Sequence, residues 1–226
     1  MIDAEWKDCR LVAFDTETSG AYPIGHEIVE IGAVKWEGGK IIDEFQTLLR
    51  LSRPMSEQVI KIHGITNEMV EHAPLILDQL PRFREFLADA VVIAHHAPFD
   101  LGFLVYELEQ AQIPLPTGPI LCSSLLARAL IPEAPNHRLQ TLLGFLRLPQ
   151  GKVHRALDDA KACLEIALEC FRRVGEHANI TEIAAKMKKS LRWENYLVGK
   201  SMDQKLIAIS QAIRRGQSLQ ITYGGG

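Results

Sequence analysis

Apolar and polar positions alternate along the chain with two periods, and the changeovers between them mark out the elements. Residues 11–14, Leu-Val-Ala-Phe, are a short apolar run that ends abruptly in two carboxylates, Asp15 and Glu17, before Gly20 closes the stretch. Such a run reads as a buried strand. Residues 28–36 and 41–49 are also strand-like, and the turn Glu37-Gly38-Gly39-Lys40 joins them as a hairpin. The first three strands therefore form an antiparallel meander. Pro54 breaks the pattern, Ser56 caps a short helix to His63, and Gly64 ends it. A second short helix follows, and then residues 74–88 place Leu77, Leu80, Phe83 and Leu87 at core-facing helical spacing, with Pro81 as a kink.

Residues 90–94, Ala-Val-Val-Ile-Ala, have the unbroken apolar character of a strand in a parallel sheet. Pro98 then suits the first turn of a helix that runs to about Gln110, which puts Asp100 in its opening turn. A fifth strand at 120–125 leads into a short helix, and further helices span 138–146 and 156–174. On the last of these, Asp158 aligns with Ala162, Glu165 and Glu169, a solvent face, whereas Asp159 aligns with Cys163, Ile166 and Cys170, an apolar one. An acid leaning inward from a first turn needs a reason, and Asp159 is that acid. Beyond Gly175 the character changes: a basic helix over 176–193, a connector over 193–200, a helix over 202–215, and a partnerless strand over 218–223 that resembles the opening of a truncated module. The alternation predicts an α/β three-layer domain at 1–175 and a basic helical extension at 176–226.

Composition adds limits to this picture. A chain of 226 residues, 47% hydrophobic and 23% charged, is long enough for one domain with its own core plus an appendage. No apolar run approaches the roughly 20 residues of a membrane span, and the N-terminus has no apolar signal core. Cys9, Cys122, Cys163 and Cys170 lack paired metal spacing and read as reduced, mostly buried thiols of a cytoplasmic protein. From Lys186 onward eight Lys and Arg face only Glu194 and Asp203, in a chain of net charge −3. An acidic body with a basic tail hints at a polyanionic partner, although a solvated helix face is the commoner meaning.

The chemistry sits at the strand ends and helix starts. Asp15 and Glu17, two apart on a strand, project to one side, where they repel each other and lose hydration unless a cation lies between them. With Asp100 and Asp159 they make four acids at the place where an α/β sheet binds its ligand. Such a set would hold two hard divalent cations, Mg²⁺ or Mn²⁺, and the unclustered cysteines and histidines disfavour zinc. A pair of these ions cuts phosphodiesters, one activating the attacking water and the other stabilising the leaving 3′ oxygen. His154, five residues before Asp159, is placed to take the proton from that water. Alone it would read as a surface loop histidine.

Four segments together resemble the DEDD-type 3′–5′ exonucleases, in the DEDDh subgroup whose last motif carries histidine. They are Phe14-Asp-Thr-Glu-Thr, Ile62-His-Gly-Ile-Thr66, Ala94-His-His-Ala-Pro-Phe-Asp100 and His154-Arg-Ala-Leu-Asp-Asp159. The subgroup includes proofreading subunits of bacterial replicative polymerases and ribonuclease T-like enzymes, and the resemblance covers roughly residues 8–175. It implies a ribonuclease H-like fold with a mixed five-stranded sheet and release of nucleoside monophosphates from 3′ ends. It also implies Asp15 as a bridging ligand, Glu17 and Asp159 on one metal, and Asp100 acting directly or through water. Thr16, Ile62, His63 and Phe99 match positions that contact the terminal sugar and base. Read from the residues alone, Phe99 and Ile62 suit core packing equally well, and a helix-end hydrogen bond competes for His63. His96 departs from the family, which usually has an asparagine there, a residue better suited to a tight strand-to-helix turn.

The expected substrate is a single-stranded 3′ end, DNA favoured over RNA, although the motifs themselves do not separate the two. The alternatives are an exoribonuclease that trims RNA 3′ ends and a non-catalytic nucleic-acid-binding or adaptor module. A polymerase or helicase is the candidate partner of the C-terminal region, and no membrane is involved.

Overall fold

The computed structural model describes residues 3–198 together with 208, 209, 212, 217, 218 and 220. Its centre is β1, Leu11–Thr18, whose first four side chains are fully buried. On one side β1 pairs antiparallel with β2, Ile28–Glu37, which pairs antiparallel with β3, Lys40–Leu48. On its other side it pairs in parallel with β4, Val91–Ala94, which pairs in parallel with β5, Ile120–Cys122. The result is a mixed five-stranded sheet in the order β3-β2-β1-β4-β5. Central strands buried on both faces need apolar runs without alternation, and β1, β2 and β4 have them.

The helices are α1 (Glu57–His63), α2 (Asn67–Val70), α3 (Ile76–Leu87), α4 (Pro98–Gln110), α5 (Ser123–Leu130), α6 (Leu139–Leu146), α7 (Ala156–Val174) and α8 (Ile180–Lys186). The caps follow the sequence. The Ser56 hydroxyl accepts from the Val59 amide at the start of α1, and Gly64 closes it with a left-handed φ of 71°. Phe14 packs on Phe83 of α3 at a centroid distance of 5.9 Å, so the even-numbered β1 residues face α3. The odd-numbered ones face α7, which crosses the opposite face.

Contact between α7 and the sheet is close enough to dictate a residue. A Cβ added at Gly32 of β2 would lie 2.1 Å from the Leu157 nitrogen and 2.2 Å from the Ala156 carbonyl carbon. Backbone cannot yield as a flexible side chain does. Gly32→Ala is therefore expected to lower stability by at least about 1–3 kcal/mol, the usual cost of overpacking. A urea denaturation midpoint equal to that of the parent protein would show that α7 can move aside.

The first strand runs to Thr18 and carries Asp15 and Glu17, as their same-side spacing required. Two expectations change. The fifth strand is three residues long, and α5 begins directly at Ser123. The basic helix expected over 176–193 shortens to α8, where Asn179 and Glu182 cap each other reciprocally at 2.9 Å, and Lys188 beyond it takes a left-handed φ of 55°. The connector is no loose link either. Trp193 is buried and its indole donates to the Gly118 carbonyl at 2.9 Å, while Ile180, Ile183, Met187 and Leu191 join the same core. Of the helix expected over 202–215, Ala208, Ile209 and Ala212 are described and are helical. The rest of it, and most of the strand expected over 218–223, lie outside the described residues. All four cysteines are buried thiols outside any disulfide.

Candidate active site

The pleat of β1 divides the work between its two faces. Asp15 and Glu17 turn toward α7, and Thr16 turns toward the other face, where its amide and hydroxyl both donate to Asp100 Oδ1, at 3.0 and 2.8 Å. Pro98 opens α4 just after the strand β4, so Asp100 falls in the helix's first turn beside the β1 end. The turn into α4 passes through His96 at φ 60°. This left-handed region is where asparagine, aspartate and histidine are enriched among residues with a side chain, so the histidine keeps the turn.

Asp159 arrives from α7. Its Oδ2 accepts from the His154 amide at 2.9 Å and its Oδ1 from Gln140 Nε2 of α6 at 3.2 Å. His154, also left-handed at φ 59°, folds the preceding loop back over the helix start and leaves its ring exposed. Ligand atoms of Glu17, His154 and Asp159 all lie within 4.8 Å of one another. Asp15, Thr16, Glu17, Phe99, Asp100, His154 and Asp159 line one cleft of about 560 Å³.

Ile62 and His63 are not in that lining. Ile62 is 59% exposed, which removes the core-packing reading. His63 is buried, and its Nδ1 accepts from the Ile65 amide at 3.0 Å, the helix-end bond that competed for it. In the neutral ring the proton then sits on Nε2, which is buried without a partner among the described residues. Burial lowers the pKa of this imidazole and favours that neutral form. Phe99 is half-buried against Phe103, at a centroid distance of 5.2 Å.

The electrostatics of the four acids are one-sided. Burial, then Asp100, Glu17 and Asp159, push the Asp15 carboxyl well above the usual carboxylate range. Burial and the charges of Asp159 and Glu30 push Glu17 up to about 8. Burial pushes Asp100 up to about 7 against the pull of its two Thr16 hydrogen bonds, and it raises Asp159 against the His154 amide. An all-oxygen set of carboxylates that destabilise one another fits hard divalent cations, which would remove the repulsion that raises these values.

One acid nearby behaves in the opposite way, and the sequence reading missed it. Glu30 of β2 pairs with Glu17 across the sheet yet is fully buried. Arg155 binds it through Nε at 3.1 Å and Nη2 at 2.8 Å, Gln46 Nε2 donates at 2.8 Å, and the Ala156 amide at 3.1 Å. Burial works to raise the Glu30 carboxyl, but those hydrogen bonds together hold it below the usual range. Arg155 and Ala156 open α7, so Glu30 seats the helix that carries Asp159. The available signal was an acid in the middle of an otherwise apolar strand.

Residues 12–167 match the RNase_T family, described as Exonuclease. The chain belongs to this exonuclease family. A DNA polymerase III of PolC type from Bacillus subtilis is 36% identical over 171 residues, 73% of this chain and 12% of the relative. Exonuclease X, solved in complex with 5′ overhanging duplex DNA, is 30% identical with a TM-score of 0.60, covering 78% of this chain and 99% of that one. The nuclease domain of 3′hExo, a DEDDh family member bound to rAMP, shares the fold at 20% identity and a TM-score of 0.65, covering 78% and 98%. The chain spans only 12% to 27% of the length of the first curated relatives it matches. These likenesses bear out the motif resemblance and the ribonuclease H-like fold of the exonuclease domain. They also make the site one of a divalent-metal-dependent family. Among the described residues no helix is long and apolar enough to cross a membrane.

Proposed function

We propose that this exonuclease domain removes nucleoside monophosphates from the 3′ ends of single-stranded DNA with two divalent cations, Mg²⁺ or Mn²⁺. The observation that carries the reading is the convergence of Asp15, Glu17, Asp100 and Asp159 in one cleft with a histidine ring at its mouth. Bound there, the cations would acidify the attacking water and offset the charge that develops on the leaving 3′ oxygen. Asp15, Glu17, Asp100 and Asp159 would hold them: Asp15, central among the acids, would be shared between both, Glu17 and Asp159 would serve one, and Asp100 would act directly or through water. The exposed His154 ring, close to Glu17 and Asp159, would take the proton of the attacking water.

Thr16 and Phe99 face the terminal nucleotide from the cleft, and Ile62 offers an exposed apolar contact on α1. The unpartnered His63 Nε2–H is a donor in search of an oxygen, which supports a contact to the terminal sugar. DNA is favoured because a relative in this family is named a DNA polymerase and another was solved on DNA. The activity is assigned to residues 1–175. Residues beyond 175 pack in part on the same core, through Ile180, Ile183 and Trp193, and the Lys and Arg from Lys186 onward would meet nucleic acid or a polymerase.

The test is digestion of 5′-labelled single-stranded DNA and RNA of equal sequence in Mg²⁺, with His154→Ala alongside. A ladder shortening from the 3′ end, faster on DNA, is expected. The variant should be slower by about 10²–10⁴-fold, the usual range for a lost general base, while still binding the strand. Intact label with both Mg²⁺ and Mn²⁺ would overturn the reading, and internal cuts would overturn the direction.

A further inference from the structure

Two clefts meet where β4 ends. The carboxylate cleft, about 560 Å³, shares His95, His96, Arg138 and Leu139 with a neighbour of about 550 Å³ that runs toward α5 and is lined further by Arg128 and His137. The second cleft has no acid in its lining; its ionisable groups are two arginines and three histidines. Glu133, the acid in the same loop, is committed to Arg173 at 2.8 Å.

The arginines of this cleft differ from others in the domain. Arg10, Arg155, Arg172 and Arg173 are each held in an ion pair with a glutamate. Arg128 and Arg138 are exposed, and among the described residues neither guanidinium makes a hydrogen bond or an ion pair. Two unengaged guanidinium forks on one cleft suit the paired non-bridging oxygens of phosphodiesters, each tetrahedral group carrying one negative charge.

The cleft is also held in shape. His95 Nε2 lies 3.1 Å from the His137 carbonyl, an acceptor only, so Nε2 carries the proton and Nδ1 accepts from the Ser123 hydroxyl at 2.7 Å. The Asn136 side chain accepts from the Arg138 amide at 3.0 Å, and His137 Nε2 bonds the Ile131 carbonyl at 3.1 Å. The segment before α6 is thereby tied to the end of β4, which presents Arg138 at the boundary of the two clefts. Burial holds His95 neutral, down at about 4, so this tie persists across neutral pH.

We infer that the second cleft is a subsite for the backbone phosphates of the DNA strand on the 5′ side of the reacting end, with Arg138 nearest the carboxylates and Arg128 further along. The inference rests on the exonuclease reading and adds a direction to it: the strand leaves the catalytic cleft across His96 toward α5. It also answers an electrostatic difficulty. Four clustered carboxylates repel a polyanion, and cationic side chains one or two nucleotides upstream restore attraction over the length of the strand.

The experiment compares kcat/KM on single-stranded DNA of two and of twelve nucleotides, in Mg²⁺ and over a range of KCl. Wild type should favour the longer substrate. In Arg128→Gln with Arg138→Gln the twelve-to-two ratio should fall by about tenfold or more, as expected for lost charge-assisted hydrogen bonds. The slope of log KM against log salt should become shallower by about 1.4, two phosphates at roughly 0.7 each. Arg128→Lys with Arg138→Lys should keep most of the salt slope, which separates loss of charge from loss of fold. An unchanged ratio and slope in the glutamine variant, with wild type active, would overturn the subsite and leave the exonuclease reading standing. A wild type that cuts neither substrate would instead remove that reading.

Discussion

Asp15→Asn is expected to abolish nuclease activity and, in the same tube without metal, to make the protein harder to unfold. The two signs have one cause. Asp15 is crowded by Asp100, Glu17 and Asp159, and its carboxyl is pushed well above the ordinary range. Removing its charge relieves that repulsion in the metal-free protein. It also removes the proposed bridging ligand, worth several kcal/mol of transition-state stabilisation, or about a thousandfold in rate at about 1.4 kcal/mol per factor of ten. A variant that lost activity merely by unfolding would melt lower, so the pair of readouts distinguishes the explanations.

The same crowding sets a pH dependence. Glu17 titrates at about 8 and Asp100 at about 7 in the folded chain, against about 4 for unperturbed carboxyls. Between those limits the native state holds more protons than the unfolded state. The contribution of these two groups to the stability of the metal-free protein is therefore greatest below the unfolded values and falls as pH rises toward 8. Divalent cation should reverse this trend, because binding to the native state adds stability by mass action. Thermal midpoints from pH 5 to 9, in chelator and in Mg²⁺, check both statements. A chelated protein that is equally stable at pH 5 and pH 8 would mean that the acids do not confront one another as described.

Glu30→Ala carries the largest expected loss of stability. Glu30 is fully buried, and the substitution strands Arg155, Gln46 and the Ala156 amide together. Breaking one side of a buried ion pair typically costs about 3–5 kcal/mol, a large share of the roughly 5–15 kcal/mol that holds a domain folded. Arg155 keeps some contact with solvent, 29% of its side chain, which favours the lower end. Glu30→Gln retains the shape and one acceptor and should fold. Its kcat should fall more than its KM rises, because α7 would seat Asp159 and His154 less accurately. The urea midpoint of the alanine variant is the measurement; a value equal to wild type would show that α7 is held by Gly32 packing alone.

Asp15, Glu17, Asp100 and Asp159 were legible in the sequence as candidates because each is marked by a local break in period, whereas His154 was picked out only beside them and by the motif resemblance. An apolar strand ends in acids, a proline opens a helix, and an acid sits on an apolar helical face. The pairing of the first three strands was legible because a short glycine turn makes a hairpin, and the parallel character of β4 because its apolar run is unbroken; the order β3-β2-β1-β4-β5 came from the tertiary structure. Glu30 was not legible. Its meaning depends on Arg155, 125 positions away, and on the register that sets β2 beneath the first turn of α7. The docking of Trp193 against Gly118 was missed for the same reason: a polar, basic context hides an apolar anchor whose acceptor lies 75 positions earlier.

By itself, then, the sequence determined which groups are candidates for the chemistry and which elements carry them, because both are written in spacings of a few residues. The tertiary structure alone decided how those groups act on one another. It held Glu30 charged while crowding the four acids beside it, left Arg128 and Arg138 unengaged along one cleft, and took Ile62 out of the core. Packing energies fall off within a few ångströms and screened electrostatic ones within about 10 Å, so both depend on which distant segments the fold brings together, and no local pattern records that.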